Sequence, residues 1–188
     1  MVDPDDVRIS DETLVGRVAA GDHHAFCRLV RRHQAAVYRF ARAAARAGEE
    51  PGEILRETFL AARRSAARFR DEPSARPWLL ALARQAIDRR QPRQAETDAL
   101  PLRELAQAAA GPGSPGWDGA LASSAIVAAA LAALPVDDRE ILTLCDREYL
   151  TLEEAARVTG HSIAAVQTRL HRARLRLLAE LKERGRGG

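Results

Sequence analysis

Cysteine is nearly absent from this chain: it has two, Cys27 and Cys145, far apart in the sequence. Two residues so placed supply neither a disulfide framework nor the paired ligands of a zinc site, and they suit a reducing compartment. Aromatic residues make up only 4% of the sequence, and β-branched runs are scarce. That argues against sheets, where those residues pack best. No apolar run approaches the roughly 20 residues of a membrane span. The start, "MVDPDDVRIS", is acidic and lacks the basic head and apolar core of a signal peptide. These absences point to a cytoplasmic protein with no direct membrane insertion.

What remains is helix-forming. Hydrophobic residues are 46% and charged residues 29%, too apolar a balance for a disordered chain. Alanine and arginine, both good helix formers, are abundant. The 188 residues suffice for one medium domain or two small ones, since domains usually run to about 100–150 residues. The expectation is an all-α protein. A net charge of +3 decides little until its distribution is known.

Along the chain, Ser10 can cap a first helix with Asp11 and Glu12 in its first turn, and Gly21 ends it. Asp22 opens a long second helix with Phe26, Leu29, Val30, Val37, Phe40 and Ala44 at helical spacing, leaving Arg28, Arg31, Arg32, Arg39 and Arg42 mostly elsewhere on its surface. A third helix follows "GEEPGE", from about Glu53 to Phe69, with Ile54, Leu55, Phe59 and Ala62 inward. A fourth, "WLLALARQAIDRR", buries Trp78, Leu79, Leu82, Ala83 and Ile87. Residues 1–90 thus read as a four-helix domain. From 91 to 119 the proline and glycine of "GPGSPGWDG" mark a flexible linker, with a transient helix over Leu100 to Ala110 inside it. A second helical domain spans 120–188.

The end of that domain is the most informative stretch. Thr151 and Glu154 form a Thr-x-x-Glu capping box over a helix that buries Leu152, Ala155, Ala156 and Val158. Gly160 supplies a turn and Ser162 caps the next helix. There Ile163, Val166 and Leu170 are expected inward, and Ala164, Ala165, Gln167, Thr168, Arg169, His171 and Arg172 outward. A helix, a glycine turn and a second helix with small and basic residues near its start is the helix-turn-helix pattern, whose second helix enters the DNA major groove. From Thr151 onward eight Lys or Arg face four Glu, so the tail concentrates the chain's positive charge.

Taken together these stretches resemble the extracytoplasmic function sigma factors, the smallest group of bacterial sigma factors, over nearly the whole chain. "DETLVGRVAAGDHHAFCRLVRRHQAAVYRFA" looks like the start of that family's region two, "EILRETFLAARRSAARFR" like its polymerase-binding helix, and "PWLLALARQAIDRR" like its promoter-opening helix. "ALAALPVDDREILTLCDREYLTLEEAARVTGHSIAAVQTRLHRARLRLL" is similar to region four. The resemblance implies a subunit that joins core RNA polymerase through its clamp and flap surfaces, reads two elements of promoter DNA, and helps open the duplex. It implies an anti-sigma factor as a further partner.

The same resemblance assigns residues. Ser162, Ala164, Ala165, Gln167, Thr168, Arg169, His171 and Arg172 would meet the minus-thirty-five element, where an arginine can either fork onto guanine or neutralise phosphate. Gln167 stands where the family commonly has lysine, a change that removes charge and could add adenine recognition. Phe69, Arg70, Asp71, Trp78, Arg84, Gln85, Asp88, Arg89 and Arg90 would serve minus-ten recognition and melting. That work needs cations for the backbone and a pocket or aromatic surface for an unstacked base. Trp78 reads as core rather than stacking platform; Gln85 replaces a common asparagine and Ala81 a common arginine. Glu53, Ile54, Leu55, Arg56, Glu57, Thr58 and Phe59 would dock on the polymerase, Phe59 reading more as core than contact. Arg56 replaces a usual glutamine, and Pro51 and Gly52 replace helix-friendly residues just ahead, departures expected either to shorten the helix or to tune affinity for core polymerase.

Two rival readings come from other classes. A helix-turn-helix repressor that never meets polymerase would use the last helices alone. A metal sensor or enzyme is suggested by His23, His24, Cys27 and His33 on one helix, where His23 and Cys27 can share a face. Against it, Cys27 reads as a small buried residue and the histidines as a polar rim. No paired catalytic carboxylates, phosphate-cradling glycine loop or nucleophile motif is present, so no catalytic residue, metal or cofactor is expected.

Overall fold

The computed structural model describes residues 9–46, 48–69, 74–90 and 124–186, which form eight α-helices and no strand. The linker expected over 91–119, with its helix at Leu100 to Ala110, and the acidic start fall outside the described residues.

Four helices build the first unit. Ser10 caps α1 (Asp11–Ala19), its hydroxyl accepting the Thr13 amide at 3.1 Å. Asp22 caps α2 (His23–Ala44) through the Ala25 amide at 3.0 Å. α3 (Pro51–Ser65) starts two residues before Glu53. Pro51 therefore begins the helix instead of shortening it, because the first helical position has no N–H to satisfy and favours the fixed φ of proline. A 3₁₀ turn over Ala66–Arg68 closes α3, and α4 (Ala75–Arg90) follows. Leu14, Leu29, Phe40, Ile54, Leu79 and Ile87 are almost wholly removed from water at the centre, each contributing about 1.5–3 kcal/mol of burial free energy.

His33 corrects an expectation. It lies buried at 3% exposure rather than on a polar rim, with Nε2 3.0 Å from Asp11. Asp11 also accepts from Arg32 Nη1 at 2.8 Å and from the Ala75 amide at 2.8 Å, so one carboxylate ties α1, α2 and the start of α4 together. Burial by itself would raise the pKa of that carboxyl. The contacts to His33, Arg32 and the Ala75 amide outweigh it and hold the group well below the usual carboxylate range.

The second unit begins with α5 (Ser124–Ala133). α6 (Val136–Leu142) runs directly into a π turn over Thr143–Arg147, and α7 (Leu152–Thr159) and α8 (Ile163–Arg186) follow. After the π turn the chain reverses through Tyr149, whose φ of +57° puts a non-glycine residue in the left-handed region, a strain of about 1 kcal/mol or more. The side chain of Tyr149 is 81% exposed.

The two units are packed together. Their buried apolar residues form one continuous cluster from Leu14 to Leu177, with α4 against α7 and α2 against α6. This explains α4, where the sequence suggests a single buried stripe but Leu79, Leu80, Ala83, Arg84, Ala86 and Ile87 are all buried. The first three helices cover one side and the second unit the other.

Candidate nucleic-acid and polymerase interfaces

The turn between α7 and α8 is built from local capping chemistry. Thr151 Oγ1 accepts the Glu154 amide at 3.2 Å while Glu154 Oε2 accepts the Thr151 amide at 2.8 Å, satisfying two otherwise orphaned donors. Gly160 ends α7 with a φ of +71°, a conformation that costs glycine nothing. Ser162 Oγ accepts the Ala165 amide at 3.2 Å and starts α8. Val166, Leu170, Ala173 and Leu177 hold α8 to the unit's core.

The face of α8 turned to solvent carries Ser162, Ala164, Ala165, Gln167, Thr168 and His171. Ile163 belongs to that face as well: it is 45% exposed rather than inward. A helical side chain leans toward the preceding turn, and the first residue of a helix has no such turn to cover. The arginines differ from the outward reading. Arg169 is half-buried, its Nη1 donating to Asp137 Oδ2 at 2.6 Å, and Arg172 is also half-buried. Arg174 is held by Asp146 at 2.5 Å and Arg176 by Asp138 at 2.5 Å. Acids of α6 and the π turn therefore stitch α8 in place, and the exposed face at its start is small and polar rather than arginine-rich.

Beside this stitching lies a shallow groove lined by Cys145, Asp146, Tyr149, Arg174, Leu177 and Leu178. Burial, then the neighbouring Asp146, pushes the Cys145 thiol up to about 11, so it is protonated and unreactive at neutral pH.

On the first unit, α4 presents its residues unequally. Phe69 is buried and its ring meets Trp78 with centroids 5.0 Å apart, fastening the end of α3 to the start of α4. Trp78 is half-buried in that contact. Arg70 and Asp71 lie outside the described residues. Gln85 is exposed. Arg84 is only 4% exposed, its Nη1 donating to Glu140 Oε2 at 2.9 Å and its other nitrogens to Asp88 at 2.5 and 3.2 Å. Burial opposes the charge on Arg84, while Glu140 and Asp88 restore it and raise its pKa. Arg89 and Arg90, both exposed, reach Glu57 at 2.5 and 2.7 Å. The Arg89 hydrogen bond, opposed by burial and supported by the charges of Arg90 and Arg89, holds the Glu57 carboxyl below its ordinary range. Surface pairs of this kind are worth about 0–1 kcal/mol, so a phosphate can displace Glu57 at little cost.

The residues that the resemblance assigns to polymerase docking divide the same way. Ile54, Thr58 and Phe59 are at 0, 0 and 5% exposure and belong to the core; the Thr58 hydroxyl donates to the Ile54 carbonyl at 2.7 Å. Helical periodicity turns them inward together. Glu53 and Arg56 are exposed, Leu55 and Glu57 half-buried. Leu60 joins them: it is 39% exposed, four residues after Arg56 and out of phase with the buried stripe. That phase was the sequence signal for it. Glu53, Arg56, Glu57 and Leu60 make a continuous mixed polar and apolar ridge.

On α2, Cys27 is half-buried, with its Sγ 3.6 Å from His23 Nε2. Among the described residues no three His, Cys, Asp or Glu side chains gather as metal ligands. No helix among them is long and apolar enough to cross a membrane.

Comparison with known proteins aligns with this geometry. The family model for Sigma-70 region 2 matches residues 29–96, and that for Sigma-70, region 4 matches residues 124–177. The chain is 31% identical to the ECF RNA polymerase sigma factor SigM of Mycobacterium tuberculosis over 89% of this chain and 83% of that protein. It is 31% identical to the RNA polymerase sigma factor NccH of Alcaligenes xylosoxydans over 92% and 95% of the two chains. Among solved structures, CnrH in complex with the cytosolic domain of CnrY superposes with a TM-score of 0.64 at 27% identity, covering 92% of this chain and 97% of CnrH.

Proposed function

Because the chain belongs to the extracytoplasmic function sigma factors of the sigma-70 family, we propose a division of its labour between the two units. Residues 1–90 join the polymerase clamp through the Glu53, Arg56, Glu57 and Leu60 ridge of α3. They meet the minus-ten element with the end of α4, where Gln85, Arg89 and Arg90 are accessible. Residues 120–188 read the minus-thirty-five element with the start of α8, and 91–119 connect the two. The observation that carries this reading is the capped helix-turn-helix presenting an uninterrupted exposed face of Ser162, Ile163, Ala164, Ala165, Gln167, Thr168 and His171. Alanine lets the α8 backbone approach base edges, its methyl and that of threonine suit thymine, and glutamine suits adenine.

Such a protein works in the cytoplasm, with the polymerase and the chromosome. An anti-sigma factor is a further proposed partner, supported by the complex in which the similar CnrH is seen with the cytosolic domain of CnrY. A polymerase-independent repressor is not favoured, since it leaves the region 2 match of the first unit without a role.

The test is transcription of a randomised promoter library by bacterial core polymerase with the full chain, followed by sequencing of the transcript starts. Enrichment of two spaced elements upstream of the starts is expected. Gln167→Ala with Thr168→Ala, both on that exposed face, should weaken upstream recognition, since each lost contact costs roughly 1–3 kcal/mol, while core binding stays intact. Enrichment of no element would overturn the assignment.

A further inference from the structure

α2 carries charge of one sign only: its 22 residues include five arginines and no aspartate or glutamate. A helix face exposed to water ordinarily mixes signs, because an acid and a base one turn apart steady each other. Three of the five arginines are engaged. Arg32 donates to Asp11 at 2.8 Å and Arg39 forks onto Glu148 at 2.7 and 3.1 Å, while Arg28 is half-buried with contacts of its own. Arg31 and Arg42 are exposed and have no hydrogen-bond or ion-pair partner among the described residues.

Between the two lies Tyr38, 44% exposed and with no partner for its hydroxyl among the described residues. Positions 31, 38 and 42 recur at spacings of seven and four, so the three side chains fall on one line along the helix. At ~1.5 Å rise per residue that line is about 16 Å long. Gln34 and Ala35, both exposed, fill it and add no acid. α1, α3, α4 and α6 pack on the other sides of α2, so this stripe is the side left to solvent and contributes nothing to the core.

Charge and ring together select the occupant. Arginines without counter-ions suit phosphate oxygens, to which a guanidinium donates in pairs. An aromatic face between them suits an unstacked base, and stacking with flanking cations is how single strands are held without regard to sequence. Closed duplex offers the phosphates but keeps its base faces stacked. A protein partner fits less well: the buried centre of such an interface is depleted in charge, whereas the neighbours of Tyr38 on this line are two arginines, a glutamine and an alanine.

Resting on the sigma-factor reading, which supplies an opened strand, we propose that the Arg31, Tyr38 and Arg42 stripe of α2 is a track for single-stranded promoter DNA. Arg31 and Arg42 neutralise backbone phosphates, and Tyr38 stacks on a base between them. The track is additional to Gln85, Arg89 and Arg90 at the end of α4, and it holds the strand without reading its sequence. This division leaves two separate signatures. Each arginine that neutralises a phosphate releases counter-ions, so it contributes about 0.7 to the slope of log affinity against log salt on a single strand. The ring contributes affinity and releases no counter-ion, so its loss leaves the slope alone.

The test titrates the full chain, without polymerase, against labelled oligodeoxythymidylate at several salt concentrations. Wild type is compared with Arg31→Ala plus Arg42→Ala, with Tyr38→Ala and with Tyr38→Phe, and circular dichroism checks that helix content is kept. The double arginine variant should lower the salt slope by about 1.4, and Arg31→Lys plus Arg42→Lys should restore it. Tyr38→Ala should weaken binding roughly tenfold at an unchanged slope, while Tyr38→Phe binds like wild type. Slopes and affinities equal to wild type in all variants would overturn the track. So would an equal effect of Tyr38→Ala on the same strand paired with its complement, or polyglutamate competing as well as the oligonucleotide, which would make the stripe a surface for acidic protein. Because no polymerase is present, the stripe and the sigma reading fail separately. Initiation by a chain whose variants bind like wild type would sink the stripe alone; stripe-dependent strand binding by a chain that never joins core polymerase would sink the sigma reading and leave a single-strand track.

Discussion

Asp11 is the residue whose loss the structure prices most clearly. Its side chain is 10% exposed and receives donors on both oxygens, Arg32 on Oδ1 and the Ala75 amide and the Ser74 hydroxyl on Oδ2, with His33 Nε2 lying 3.0 Å from Oδ2. Asp11→Asn keeps the shape but replaces one acceptor oxygen with an NH2 group, which must then face a donor. One charge-assisted contact is lost outright and the others are weakened. At about 1.5–3 kcal/mol for a hydrogen bond to a charged group, the variant should lose about 3 kcal/mol of stability. For a chain of this size that lowers Tm by roughly 6–12 °C. Urea unfolding followed by circular dichroism measures it, with an unchanged m value showing that the native fold is kept.

The pH dependence carries a second, independent signature. The folded pKa of Asp11 lies below its unfolded value, so its contribution is complete above the unfolded carboxylate pKa, about 4. It is lost as pH falls through the depressed folded value. The gap between wild type and Asp11→Asn should stay constant from pH 7 to about 5 and narrow below about 4. A gap under about 0.5 kcal/mol at pH 7 would refute the reasoning, as would one that widens in acid. Because the Ala75 amide anchors the first turn of α4, the same variant should also impair promoter opening more than core binding.

Two further predictions bear on the proposed surfaces. Leu60→Asp changes an exposed side chain, so stability should move by no more than about 0.5 kcal/mol, while core polymerase binding should fall tenfold or more in a pull-down titration; undiminished binding would remove the α3 ridge from the docking surface. Gln167→Lys should relax a preference for adenine at one minus-thirty-five position by roughly 10–100-fold, read by sequencing transcripts from a promoter library randomised there. No change in preference would show that residue 167 does not face a base.

The parts of the fold that were legible in the sequence are those made by local chemistry. Thr151, Glu154, Gly160 and Ser162 satisfy backbone groups within three or four residues of themselves, so the helix-turn-helix can be read from spacing alone. The buried stripe of α2 is legible for the same reason. What could not be read depends on distant partners. Arg84 meets Glu140 across 56 residues and Arg39 meets Glu148 across 109, and no pattern along the chain announces either pair. The second buried side of α4 was hidden likewise, since Leu80 and Ala86 fall outside the stripe that faces the first three helices. His33 looks like a surface histidine until Asp11 is brought to it from another helix.

In the proposed recognition sites, periodicity separated outward from inward at most positions, and the exceptions have physical causes. Ile163 is a helix-start residue with nothing beneath it. Arg169 is drawn down by Asp137, an acid whose placement in the first turn of α6 already suits the helix dipole. Pro51 misleads only if proline is treated as a helix breaker regardless of position.

The central claim is that one chain meets two promoter elements in a single polymerase complex. A photo-crosslinking residue placed at Gln85 in one preparation and at Gln167 in another, each assembled with core polymerase on the same selected promoter, tests it directly. The account predicts crosslinks from position 85 to the non-template strand near the minus-ten element and from position 167 near the minus-thirty-five element, both dependent on core polymerase. Crosslinks from the two positions to the same few base pairs, or equal crosslinking without polymerase, would contradict it.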